Sequence, residues 1–169
     1  MATVYLSLPP PAFVPASSNG ARFDTFAGTN FPVPVLKYAT TPDQTAFAYF
    51  RANRYGSGNI TVDIDWYADT ATSTADDLVW ECALAAITPN TDTQDIETKA
   101  FATVNTATDT HLGTTGQRLH RATLTLSNLD SVATDDWCCF RLVRDSDNAS
   151  DDLPGDACVV MVTLSYSDT

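Results

Sequence analysis

Lysine and glutamate are nearly missing from this chain: Lys37 and Lys99 are its only lysines, Glu81 and Glu97 its only glutamates. The long charged side chains that favour helix are therefore scarce, and Thr, Ala and Asp, which suit pleated surfaces and turns, fill the polar positions. Positive charge is short as well. Nine Lys and Arg face 21 Asp and Glu, a net charge of −12, which excludes nucleic acid as a partner because phosphate contacts need a clustered basic surface. No apolar run has the length needed to span a bilayer, so no membrane is expected. The opening "MATVYLSLPPPAFVPASSNG" has no basic n-region and its prolines break any apolar stretch, so a signal peptide is not expected and folding in a cytoplasm is. Nucleophile-elbow, P-loop, dinucleotide and H-E-x-x-H patterns are missing too. His111 and His120, the only histidines, sit in Thr-rich surroundings without a ligand partner at metal spacing, and are expected at the surface or a sheet edge. Neither an enzyme nor a cofactor is expected.

What is present reads as β-structure. Apolar residues make up 44% of 169 positions, enough for one domain with its own core. Stretches with strand character fall at about 33–38, 45–53, 59–68, 77–87, 97–104, 120–127, 136–144 and 157–166. "NITVDIDWYAD" alternates cleanly, with Ile60, Val62, Ile64 and Trp66 on one face and Thr61, Asp63, Asp65 and Tyr67 on the other. In "WCCFRLVRD" the apolar set Cys138, Phe140 and Leu142 turns Arg141 outward. Breaks are expected at "GSGN" (56–59), closing a hairpin, at "TATSTADD" (70–77) and at "GTTG" (113–116). Eight such strands predict an all-β fold: an antiparallel two-sheet β-sandwich of jelly-roll type.

The first 32 residues differ. The proline run "SLPPPAFVP" and the flexible "ASSNGARFDTFAGTN" predict an extended N-terminal arm outside the core, leaving 33–169 as the jelly-roll domain. Tyr5, Pro9, Pro10, Pro11, Phe13, Phe23 and Phe26 make this arm too apolar for a solvated tail, so it is expected to lie against its own domain or a neighbouring subunit.

Three groups invite chemistry. Cys82, Cys138, Cys139 and Cys158 lack any C-x-x-C spacing, and adjacent residues on a strand face opposite ways, so they are expected as reduced core side chains; a bridge from Cys82 stays open. Asp63 and Asp65 share a strand face, which a glycosidase could use, but such a pair is more simply the wet face. Trp66, Trp80 and Trp137 would suit a sugar-stacking platform, yet the first two fall on apolar faces and read as core. Between the last two strands lie Asp145, Asp147, Asp151, Asp152 and Asp156. Against an EF-hand, the pattern places Ala149, Ser150 and Asp156 where an oxygen ligand, Gly and a bidentate Glu are required. The plain reading is a solvated loop with Pro154-Gly155 in a type II turn; a different calcium site is the alternative.

"DWYADTAT", the Trp80 strand, "DW…RLVRD" and "GDA…V.L.Y" together resemble a jelly-roll module recurrent in virion proteins of tailed bacteriophages, over roughly 33–166. The resemblance implies a virion protein, made in the host cytoplasm, and among such proteins a homotrimeric capsid decoration (cement) protein. Its partners would be its own copies and the major capsid protein, gripped through the arm. A tail fibre or tailspike component is the first alternative; a carbohydrate-binding jelly roll, with or without dependence on calcium, is the second.

Overall fold

Two antiparallel sheets face each other in the computed structural model, which describes residues 2–70, 76–113 and 117–169. The strands are β1 (Thr3–Leu8), β2 (Phe13–Pro15), β3 (Arg22–Phe26), β4 (Val33–Tyr38), β5 (Gln44–Arg51), β6 (Ile60–Ala68), β7 (Asp77–Ile87), β8 (Asn105–Thr110), β9 (His120–Leu126), β10 (Trp137–Arg144) and β11 (Ala157–Ser167). One sheet runs β3-β4-β11-β6-β9, with β1 also paired to β11; the other runs β2-β5-β10-β7-β8. Most connections cross from one sheet to the other, so each sheet is assembled from strands distant in sequence. That is the expected jelly-roll sandwich. Between the sheets the core gathers Tyr38, Trp66, Trp80, Phe140, Leu84 and Leu142, all fully buried. Trp80 meets Tyr38 edge-on at 5.2 Å and Trp66 at 6.5 Å, confirming both tryptophans as core.

The period-two reading of β6 and β9 holds residue by residue: Ile60, Val62, Ile64 and Trp66 are buried, as are Ala122, Leu124 and Leu126. On the opposite face the acids meet cross-strand partners. Asp65 accepts two hydrogen bonds from Arg121, at 2.7 and 2.9 Å, and Asp63 accepts one from Thr123 at 2.6 Å. They are a wet sheet face.

Four expectations need correction. The first concerns the N-terminal segment, which is not outside the core. β1 pairs with β11 from Thr3↔Ser167 to Leu8↔Val162, β2 joins β5, and β3 joins β4. Leu8, Phe13 and Ala21 are buried, and the three prolines form a corner: a 3-10 turn, Pro10–Ala12, that carries the chain from one sheet to the other. Second, "GSGN" does not close a hairpin, because β5 and β6 belong to different sheets. Third, 97–104 is not a strand: Asp95 captures the amide of Glu97 and turns the chain, and β8 begins only at Asn105. Fourth, Gly155 does not adopt the left-handed conformation a type II turn needs. Its small size is used instead, since a Cβ there would come within 2.6 Å of Thr70 Oγ1. The expected loops at 70–77 and 113–116 fall largely on 71–75 and 114–116, outside the described residues.

Candidate functional site

The five-stranded sheet turns a row of aromatic side chains outward. On β5, Thr45, Phe47, Tyr49 and Arg51 alternate with buried Ala46 and Ala48; on β10, Trp137, Cys139 and Arg141 alternate with buried Cys138, Phe140 and Leu142. The register sets Cys139 opposite Tyr49 and Trp137 opposite Arg51, which makes Tyr49 and Trp137 diagonal neighbours. Their rings stack with centroids 5.8 Å apart and planes 26° from parallel, and Tyr49 keeps half its surface in solvent. Pro89 beyond β7, Arg51 and Asp135 complete an open depression of about 540 Å³. Arg51 Nε donates to the Asp135 carbonyl oxygen at 3.1 Å and lies 3.5 Å from its carboxylate, both side chains being exposed. Burial, then the adjacent Cys139 thiol, raises the Tyr49 hydroxyl pKa, so it remains a neutral hydrogen-bonding group.

Farther along the same face Phe47 stacks on Phe101 at 5.9 Å, and the Arg141 guanidinium lies 5.2 Å from the Phe101 centroid. Beyond them Asp43, Asp145 and Asp147 bring one carboxylate oxygen each within 4.8 Å of one another. Mutual repulsion, led by Asp43, raises the Asp147 carboxyl pKa. Asp43 Oδ1 already accepts from the Ser146 amide and hydroxyl and the Asp147 amide, at 2.8, 2.9 and 3.1 Å. This oxygen therefore organises the 145–148 turn, which leaves a poorer donor set for a hard cation.

The five candidate aspartates do not converge. Asp145 and Asp147 stay together, whereas Asp151 binds Arg144, Asp152 caps the amide of Asp77, and Asp156 joins Asp69 around Lys37. Nor is the loop merely solvated. Arg144 follows Cys138, Phe140 and Leu142 on the inward phase of β10, with 1% of its side chain exposed, and Asp151 has 2%. Arg144 donates to both oxygens of Asp151, at 3.1 and 2.7 Å, and to the carbonyls of Gly155 and Leu153, both at 2.8 Å. Counting inward phase one step past Leu142 would have flagged this arginine.

Both histidines are buried rather than superficial. His120 stacks on Trp66 at 5.0 Å and meets His111 in a tilted contact at 4.7 Å, while Trp66 Nε1 donates to Asp109 at 2.7 Å. All four cysteines are free and buried, as expected of core thiols. Of the aromatic and proline residues expected to bind a partner, Phe13 and Pro10 are buried and Phe26 half-buried, while Tyr5, Pro9, Pro11 and Phe23 are exposed.

No family model matches the chain, and no curated protein matches it by sequence. Solved structures do match. The CBM36-1 domain of a multidomain xylanase from the hindgut metagenome of Trinervitermes trinervoides aligns with TM-score 0.52 and 9% identity over 95% of this chain and 96% of that one. TmCBM27, a carbohydrate-binding module studied for mannan recognition, gives 0.51 and 10% over 99% of both. The CBM22-1 xylan-binding domain of Paenibacillus barcinonensis Xyn10C gives 0.50 and 8% over 96% and 94%. The shared property is the jelly-roll β-sandwich fold.

Proposed function

We propose that this chain is a non-catalytic glycan-binding β-sandwich whose ligand lies on the Tyr49–Trp137 surface. The carrying observation is that stacked pair on a sheet face, Tyr49 half exposed and Trp137 half-buried, flanked by Arg51 and Asp135. Aromatic rings present a flat apolar face to the C–H face of a sugar, and polar groups at the rim supply hydrogen bonds that fix its orientation. Similarity of fold to modules named for mannan and xylan recognition supports the ligand class. Retention on immobilised neutral and acidic polysaccharides tests it: the chain is retained by at least one, and Tyr49→Ala or Trp137→Ala abolishes retention without loss of fold. Passage of the folded protein through every such matrix refutes it.

The capsid-decoration reading rested on the resemblance to virion modules and on an arm gripping a neighbour, and residues 3–26 instead complete both sheets. One observation favours a second reading as an oligomeric virion module. Phe26, Phe31, Val33, Tyr67, Leu119 and Val160 line an apolar depression of about 610 Å³ on the outer face of the other sheet, with Phe31 69% exposed. Sedimentation equilibrium decides: a trimer supports it, a monomer across the micromolar range removes it.

A further inference from the structure

Arg141 differs from the other cations of this acidic protein in being half-buried without a polar partner among the described residues. Six of its nine Lys and Arg residues hold carboxylates in ion pairs. Among the described residues Arg141 makes neither an ion pair nor a hydrogen bond, and its Nε is buried without a partner. Glu81 acts on it electrostatically without closing a pair. The guanidinium sits over Phe101, with Phe47 opposite on β5 and Ala83 opposite on β7. A half-buried guanidinium with unused donors is costly unless an acceptor arrives, and its fork matches a carboxylate in two-point geometry. Tyr49 is the diagonal neighbour of Arg141 across the β5–β10 pair, roughly 7–8 Å away. A sugar unit adjoining the one on Tyr49 would have to span only that separation to reach the guanidinium.

We propose that Arg141 makes this site selective for acidic sugars, binding the carboxylate of a uronic-type unit next to the one stacked on Tyr49 and Trp137. The inference rests on the glycan-binding reading above. Charge defines the ligand further. A net charge of −12 repels a dense polyanion, whereas screening over a Debye length of about 8 Å at physiological salt leaves an isolated carboxylate to the groups nearest it, Arg141 in hydrogen-bond reach and Glu81 diagonal to it on β7. The ligand is then a largely neutral glycan with carboxylates set apart along it.

Calorimetric titration of the full chain compares an oligosaccharide holding one uronic acid per several neutral sugars with the same oligosaccharide after reduction of the carboxyl to an alcohol. The acidic form is expected to bind about tenfold more tightly, the lower end of what a hydrogen-bonded charge contributes. Arg141→Gln, checked for an unchanged melting profile, equalises the two affinities without weakening the reduced form; Arg141→Lys keeps part of the preference. Tyr49→Ala weakens both. Equal wild-type affinities, or a preference that survives Arg141→Gln, overturn the role of Arg141 and leave the glycan reading standing. Binding of neither ligand overturns both.

Discussion

Replacing Asp151 by alanine should destabilise the protein more than any surface substitution. The change would strand a guanidinium that is 1% exposed beside a side chain 2% exposed, and free the Val79 amide that donates to Asp151 at 3.1 Å. Removing one partner of a buried ion pair costs about 3–5 kcal/mol, because the remaining charge stays in a poor solvent. An exposed pair such as Arg51–Asp135 contributes only about 0–1 kcal/mol. With a urea slope of about 2 kcal/mol per M, the midpoint should fall by about 1.5–2.5 M. Melting should drop by about 6–20 °C for a chain of this size. Urea titration followed by circular dichroism gives the number. The double variant Arg144→Leu/Asp151→Leu should recover only the charge part of the loss, since it leaves the Val79 amide and the Leu153 and Gly155 carbonyls without their side-chain partners. A loss below about 1 kcal/mol for Asp151→Ala would refute the claim that this pair anchors the loop.

Deleting residues 2–26 should abolish cooperative unfolding, because it removes three strands and the buried Leu8 and Phe13, each worth about 1.5–3 kcal/mol; a normal thermal transition in the truncated chain would contradict this. Burial and the neighbouring His111 lower the His120 pKa below its ordinary 6.5. The unfolded chain therefore takes up the proton first on acidification. Stability is full above about pH 6.5 and declines as pH falls toward the depressed folded value. Melting temperature against pH should show this decline in the wild type and a flatter curve in His120→Phe; parallel curves would count against it. The native thiols should resist a disulfide reagent at pH 8, since burial lifts Cys139 to about 11 and Cys138 and Cys158 to about 12. All four should react in denaturant, and prompt labelling of the folded protein would disprove their sequestration.

Much of the fold was legible where one face is buried and the other wet. β6 and β9 carry strict alternation, and their register follows from it. β1 alternates too, through Val4, Leu6 and Leu8. The prolines after it suggested a free arm, although a proline run can equally make a sheet-to-sheet corner. β8 was hidden because its Thr and Asp residues offer no apolar stripe, only the edge of a sheet. The candidate site was less readable. Tyr49 meets Trp137 through strand register, and Asp43 meets Asp145 through loop packing, neither of which local pattern encodes. The histidines misled for the same reason: a Thr-rich context says nothing of a tryptophan arriving from another strand.

Three indoles make the central claim directly observable. Trp66 and Trp80 are fully buried, whereas Trp137 sits half-buried on the outer face against Tyr49. Proton–nitrogen correlation spectra during titration with a retained glycan should shift the Trp137 indole signal and leave the other two in place. Saturable binding that leaves Trp137 unmoved, or that persists unchanged in Trp137→Ala, would contradict the account.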